Sequence, residues 1–163
     1  MENEYFNYSC TVNGHEFQHK LKIIERFIDH LAICPVCGAP NCGGPDDKFI
    51  WAEFNNEKLA IHFGDGEFER YLSFWHYDGI TENEYRSLPN FIKDFNEGKG
   101  WDNDGLDPNS IIDPLDFKKS MDVIKNSMHL KEDDDFLTSF YPKITRFIER
   151  VINEEKTLNI LKH

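Results

Sequence analysis

Cys34-Pro35-Val36-Cys37-Gly38, followed by Cys42, is the segment of this chain best equipped for chemistry. Two thiols two residues apart in a tight turn aim both sulfurs at one point, which is ordinary ligand geometry for zinc. Amides around such a turn can donate to the sulfurs, and glycine at position 38 suits a backbone with positive φ. A structural zinc takes four ligands. Cys42 lies close enough to be a third, and Cys10 is the remaining cysteine, beside a predicted turn.

A second pattern could also do chemistry. His15-Glu16-Phe17-Gln18-His19 matches HExxH, in which two histidines one helical turn apart bind zinc while the glutamate activates water. His30 or Glu25 would have to serve as third ligand. The flanking sequence opposes this reading. Asn13-Gly14 stands where an apolar helix would run, and the local alternation favours a strand, which sets Glu16 on the opposite face from both histidines. Asp102-Asn103-Asp104-Gly105-Leu106-Asp107 carries calcium-type side chains, but its glycine is out of register for a calcium loop, so a polar turn is expected. Glu132-Asp133-Asp134-Asp135 precedes a predicted helix, where carboxylates favour the positive end of the helix dipole. His62 and His76 fall on aromatic strands and read as core histidines. No glycine-rich phosphate loop or nucleophile elbow stands out.

The elements that must position these residues are readable in outline. Phe6, Tyr8, Cys10 and Val12, then His15, Phe17, His19 and Leu21, alternate with polar residues on either side of Asn13-Gly14 and predict a hairpin over 5–21. Ile24, Phe27, Ile28 and Leu31 recur at helical spacing and predict a short helix over 20–32 that feeds Cys34. Strands are expected at 48–54, 58–63 and 67–77, with turns at Asn55-Asn56-Glu57 and Gly64-Asp65-Gly66, forming an antiparallel meander. The remainder reads as helical. Thr81 and Glu84 have capping-box spacing, Pro89 starts or kinks a helix, and residues 98–112 form a long loop. Asp113-Pro114 caps a helix with Phe117, Met121, Ile124 and Met128 on one face, and a last helical region covers about 134–160, interrupted at Pro142. The expected class is α+β, a single domain over 1–163: an N-terminal zinc-bound hairpin and helix within 1–47, a β-meander over 48–80 and a helical region over 81–163.

The bulk numbers bound the function. The chain has 163 residues, 39% of them hydrophobic, and 14 phenylalanines, enough for a buried core. Thirty acidic residues against 18 basic give a net charge of −12, a field that repels nucleic acid and anionic membrane and favours a basic protein partner. The acidic N-terminal residues and the lack of a long apolar run imply a cytoplasmic location, where clustered cysteines stay reduced and favour metal over disulfide.

Tyr8-Ser9-Cys10-Thr11-Val12-Asn13-Gly14-His15-Glu16-Phe17 resembles the first knuckle of small bacterial zinc ribbons, Tyr-x-Cys-x-x-Cys-Gly-His-x-Phe, and Cys34-Pro35-Val36-Cys37-Gly38 resembles their second. The likeness covers residues 8–38, with a longer insert between the knuckles, and Asn13 stands where a cysteine ligand would be. The resemblance implies Cys10, Cys34 and Cys37 as zinc ligands with the fourth place open. Cys42 is the simplest occupant and His15 the alternative. The expected function is a non-enzymatic, acidic, zinc-containing binding protein. Its profile is similar to immunity-type inhibitors of basic, nuclease-like bacterial toxins, with candidate contacts in the carboxylates of 102–107 and 132–135 and in Trp75, Tyr77 and Trp101. A zinc hydrolase built on His15, Glu16 and His19 is one alternative. A zinc-ribbon regulator touching nucleic acid is another, weakened by the net charge and by a basic set of only Lys20, Lys22 and Arg26.

Overall fold

The computed structural model describes residues 4–10, 13–21, 28–37, 48–63, 71–73, 80–97, 110–126, 132 and 134–162. Strands β1 (Glu4–Ser9) and β2 (Glu16–Leu21) form the expected hairpin, in register from Glu4 opposite Leu21 to Ser9 opposite Glu16. The strands stop short of the turn residues, so Cys10 and His15 sit in the connecting loop rather than on the arms. A second, five-stranded sheet has the order β3 (Ile28–His30), β5 (Glu57–Phe63), β4 (Lys48–Phe54), β7 (Leu158–Lys162), β6 (Ser110–Ile112), and every neighbouring pair is antiparallel. With the helices that follow, this is the α+β class read from the sequence.

The β4–β5 hairpin turns on Asn55 and Asn56, whose φ values of 50° and 64° are those of the two-residue turn that matches strand twist. Asparagine tolerates this left-handed backbone because its short side chain can bond locally. Alternation then sorts the sheet into two faces. Ile50, Ala52, Phe54, Ile61, Leu158 and Ile160 face the helices and are buried in the main core. Phe49 and Ala60 are buried on the opposite face, under Leu31, with Ile33 and Trp51 packed beside them.

Helix α1 (Glu82–Ser87) begins with the predicted capping box. The Glu84 amide donates to Thr81 Oγ1 at 3.3 Å, and the Thr81 amide donates to the Glu84 carboxylate at 2.7 Å. Helix α2 (Asn90–Asn96) starts directly after Pro89. Its first two amides, of Asn90 and Phe91, donate to the Asp116 carboxylate at 3.0 and 2.6 Å. The cap that Pro89 cannot supply therefore comes from helix α3 (Pro114–Lys125), itself capped by Asp113. A wide π turn, Phe136–Phe140, leads into α4 (Tyr141–Asn153). Pro142 lies just past the turn, has no N–H to give, and would crowd the carbonyl one turn back in a regular helix. Phe117, Met121, Ile124, Phe136, Ile144, Phe147, Ile148 and Val151 bring the helices onto the sheet. Phe54 meets Phe147 edge-on at 5.9 Å, and Phe91 meets Phe117 at 4.9 Å. Among the described residues no helix is long and apolar enough to cross a membrane.

Four expectations are corrected. The helix over 20–32 is not formed at either end. Lys20 and Leu21 belong to β2, and residues 28–30 form β3, where Ile28 pairs opposite Ile61 and packs against the main core. Residues 22–27, with Glu25, lie outside the described residues. The third meander strand over 67–77 is a helical turn at 71–73, where Tyr71 and Leu72 are buried among the helices. The Tyr71 ring lies tilted against Phe136, with centroids 4.8 Å apart. Trp75, His76 and Tyr77 lie outside the described residues, as do Trp101 and 102–107. The place beside β4 is taken by β7 instead. Residues 110–112 of the expected loop are strand β6.

Finally, the last helix stops at Asn153 rather than near 160. The Lys156 amide bonds the Val151 carbonyl at 2.9 Å and the Glu155 amide bonds Ile152 at 3.1 Å, with Glu155 at φ 51°. This is a Schellman stop with glutamate where glycine is usual. Glu155→Gly is expected to raise stability by about 0.5–1 kcal/mol in denaturant unfolding, because glycine relieves the left-handed strain at a partial cost in unfolded-state entropy. Thr81 supplies a hydroxyl and an amide to Glu84, which hold its carboxyl below the ordinary value of 4.5. The capping box therefore contributes fully above that value and is lost as pH falls through the lower folded-state pKa. Thr81→Ala is expected to cost about 1 kcal/mol at neutral pH and progressively less as pH falls below the ordinary value of 4.5, measured by urea unfolding across pH.

Candidate metal centre

Two chain segments converge on one point. The first is the β1–β2 loop. The Cys10 amide donates to the His15 carbonyl at 2.6 Å and the Gly14 amide donates to the Cys10 carbonyl at 2.9 Å, closing the loop on itself. Gly14 makes the reversal with φ +66°, a conformation that glycine adopts without strain. Asn13 occupies the place of the cysteine missing from the zinc-ribbon pattern, and its amide points at Cys10 Sγ at 3.5 Å. The second segment leaves β3. The Leu31 amide donates to the Lys58 carbonyl at 2.9 Å, and Leu31 and Ala32 are buried. That anchoring delivers Cys34 to the loop, after which residues 35–37 turn at the surface.

The result is a group of four donors, Cys10 Sγ, His15 Nδ1 or Nε2, Cys34 Sγ and Cys37 Sγ, all within 4.8 Å of one another. These residues are close enough to hold one metal ion. Cys10 Sγ lies 3.2 Å from Cys37 Sγ, and Cys34 Sγ lies 3.7 Å from His15 Nδ1. A tetrahedral ion with sulfur at about 2.3 Å and nitrogen at about 2.05 Å has sulfur–sulfur edges of roughly 3.75 Å and sulfur–nitrogen edges of roughly 3.55 Å. The observed sulfur–sulfur pair is shorter than its edge by about 0.5 Å and the sulfur–nitrogen pair is longer by about 0.15 Å. Cys10 is 4% and Cys34 2% exposed, His15 is half-buried and Cys37 is exposed, with Phe17 packed against the two buried sulfurs.

The local electrostatics favour anionic sulfur. Burial pushes the Cys34 thiol up, but the amides of Cys37 and Val36, then the side chains of His15 and Cys37, together hold it below the ordinary value of 9.0. Amides aimed at a thiolate also orient it toward a metal. Such a cluster binds metal by releasing protons, so affinity falls as pH falls.

Of the four cysteines expected as ligands, Cys10, Cys34 and Cys37 come together; Cys42 lies outside the described residues. The fourth donor in the group is His15, the alternative suggested by the zinc-ribbon likeness. The helix that HExxH needs is not formed: residues 16–21 are strand, and Glu16 is exposed. His62 stacks flat on Phe49 at 4.8 Å. Asp134, within the acidic run 132–135, has a structural role: its carboxylate accepts from the Phe136 amide at 2.9 Å and its carbonyl from the amides of Leu137 and Thr138. Comparison with protein-family models, with curated proteins and with solved structures gives no match to this chain.

Elemental analysis of the purified, tag-free chain is expected to find one metal ion per chain, absent from a Cys34→Ser/Cys37→Ser variant. His15→Ala is expected to lower retention against a chelator at least tenfold, whereas Cys42→Ser leaves it unchanged. Titration from pH 8 to pH 5 is expected to weaken binding progressively, as protons compete with the metal for the sulfurs.

Proposed function

We propose that the centre is a structural zinc site, held by Cys10, His15, Cys34 and Cys37, in a non-enzymatic acidic binding protein. The observation that carries the reading is the donor set: three sulfurs and one imidazole within 4.8 Å. Three thiolates and a histidine are a set typical of structural zinc. With all four places taken by protein, no position remains for a water or substrate, which separates this arrangement from hydrolytic zinc sites. The zinc fastens the hairpin loop to the segment leaving β3, so binding free energy becomes local folding free energy.

The partner class follows from charge. A net charge of −12 suits a basic protein, and we propose an immunity-type role against a cationic bacterial toxin of the nuclease kind. Acidic groups speed the encounter, and association of this kind slows as salt screens the field. The test is isothermal titration and stopped-flow binding against a panel of purified basic bacterial nuclease-toxin domains. Inhibition of one member, with an association rate that falls at least tenfold between 50 and 500 mM salt, is the expected result. No binding to any member at low salt would remove the toxin reading and leave the zinc site untouched.

A further inference from the structure

We propose that Cys10 and Cys37 form an oxidation point within the metal centre: oxidant joins them in a disulfide, expels the metal and leaves the two chain segments tied by a covalent bond. This rests on the zinc reading above. Of the four donors, Cys37 is the exposed one, at the end of the surface turn 35–37, while Cys10 and Cys34 are buried and His15 half-buried. Cys37 Sγ lies 3.2 Å from Cys10 Sγ, close enough for attack with little backbone movement. Cys34 is buried, faces His15 Nδ1 at 3.7 Å and accepts from the amides of Val36 and Cys37, besides its side-chain contact with Cys37. The exposed Cys37 and the 3.2 Å approach of Cys10 are the grounds for this pair.

The chemistry needs one two-electron oxidant, for which hydrogen peroxide serves. The Cys37 thiolate attacks a peroxide oxygen, the O–O bond breaks, and hydroxide leaves, giving a sulfenic acid. The Cys10 thiolate then attacks the Cys37 sulfur, the S–O bond breaks, and a second hydroxide leaves. In sum, two thiolates and one peroxide give one disulfide and two hydroxides, which take up two protons to become water. Cys34 and His15 remain, and two of the four donors no longer hold a structural zinc, so Zn2+ is released. The disulfide links residues 27 positions apart, across the same gap that the metal spanned. Oxidation thus exchanges a metal strap for a covalent one instead of simply releasing the hairpin loop.

The test uses the full chain loaded with zinc. Hydrogen peroxide is added, released zinc is followed with a chromogenic chelator, and the products are digested without reduction and mapped by mass spectrometry. The expected result is one zinc released per disulfide formed, a Cys10–Cys37 linkage, and full recovery on adding a thiol reductant and zinc. Thermal unfolding provides the second readout: a chelator lowers the melting temperature of the reduced chain but leaves that of the oxidised chain unchanged. A Cys34–Cys37 linkage, a linkage to Cys42, or sulfinic acid without a disulfide in a zinc-loaded chain overturns the oxidation point and leaves the zinc reading standing. A chain that carries no zinc before peroxide is added overturns both.

Discussion

Three sulfurs and an imidazole nitrogen within 4.8 Å of one another, two of the sulfurs buried, place a strong electrostatic demand on this fold. Two thiolates about 4 Å apart repel by about 4 kcal/mol at an effective dielectric of about 20, and three thiolates make three such pairs. The cluster needs protons or a cation to exist as drawn. Backbone amides at Cys34 and Cys10 lower the demand without removing it. The four donors lie close enough for one divalent cation to meet it at a single point between the two segments.

The rest of the structure explains how the two segments reach each other. Leu31 is pinned by a backbone bond to Lys58 and packs with Phe49 and Ala60 on the sheet face away from the helices. The helices bury the other face through Ile50, Phe54, Ile61 and Ile160. A sheet clad on one side by α2–α4 and on the other by the 31–33 segment is a firm base for a turn bearing two ligands. The β1–β2 hairpin carries the complementary pair in a loop whose own backbone bonds fix their spacing. Acidic groups elsewhere have structural duties as well: Asp116 caps α2 and Asp134 caps the π turn.

What was legible in the sequence was local. Asn13-Gly14 with alternating neighbours predicts the hairpin; Thr81 with Glu84 and Asp113 with Pro114 predict two helix starts to the residue. The cysteine spacing, with the zinc-ribbon likeness, brought out Cys10, Cys34 and Cys37 and kept His15 as a candidate. What was not legible depends on distant partners or on missing punctuation. Ile24, Phe27, Ile28 and Leu31 satisfy a helical period, yet Ile28 is claimed by pairing with Ile61 across more than thirty positions. Strand β7 falls largely within the span 134–160 that reads as helical, because Glu155 ends the helix without the glycine that usually marks such a stop. Strand β6 has three residues and exists through its pairing with β7.

X-ray absorption at the zinc edge on the purified chain decides whether His15 completes a three-sulfur site. The expected spectrum shows a first shell of three sulfurs at about 2.3 Å and one nitrogen at about 2.0–2.1 Å, with imidazole scattering beyond it. A shell of four sulfurs would assign the fourth place to Cys42 and contradict the account; a shell dominated by nitrogen and oxygen would move the metal away from these cysteines altogether.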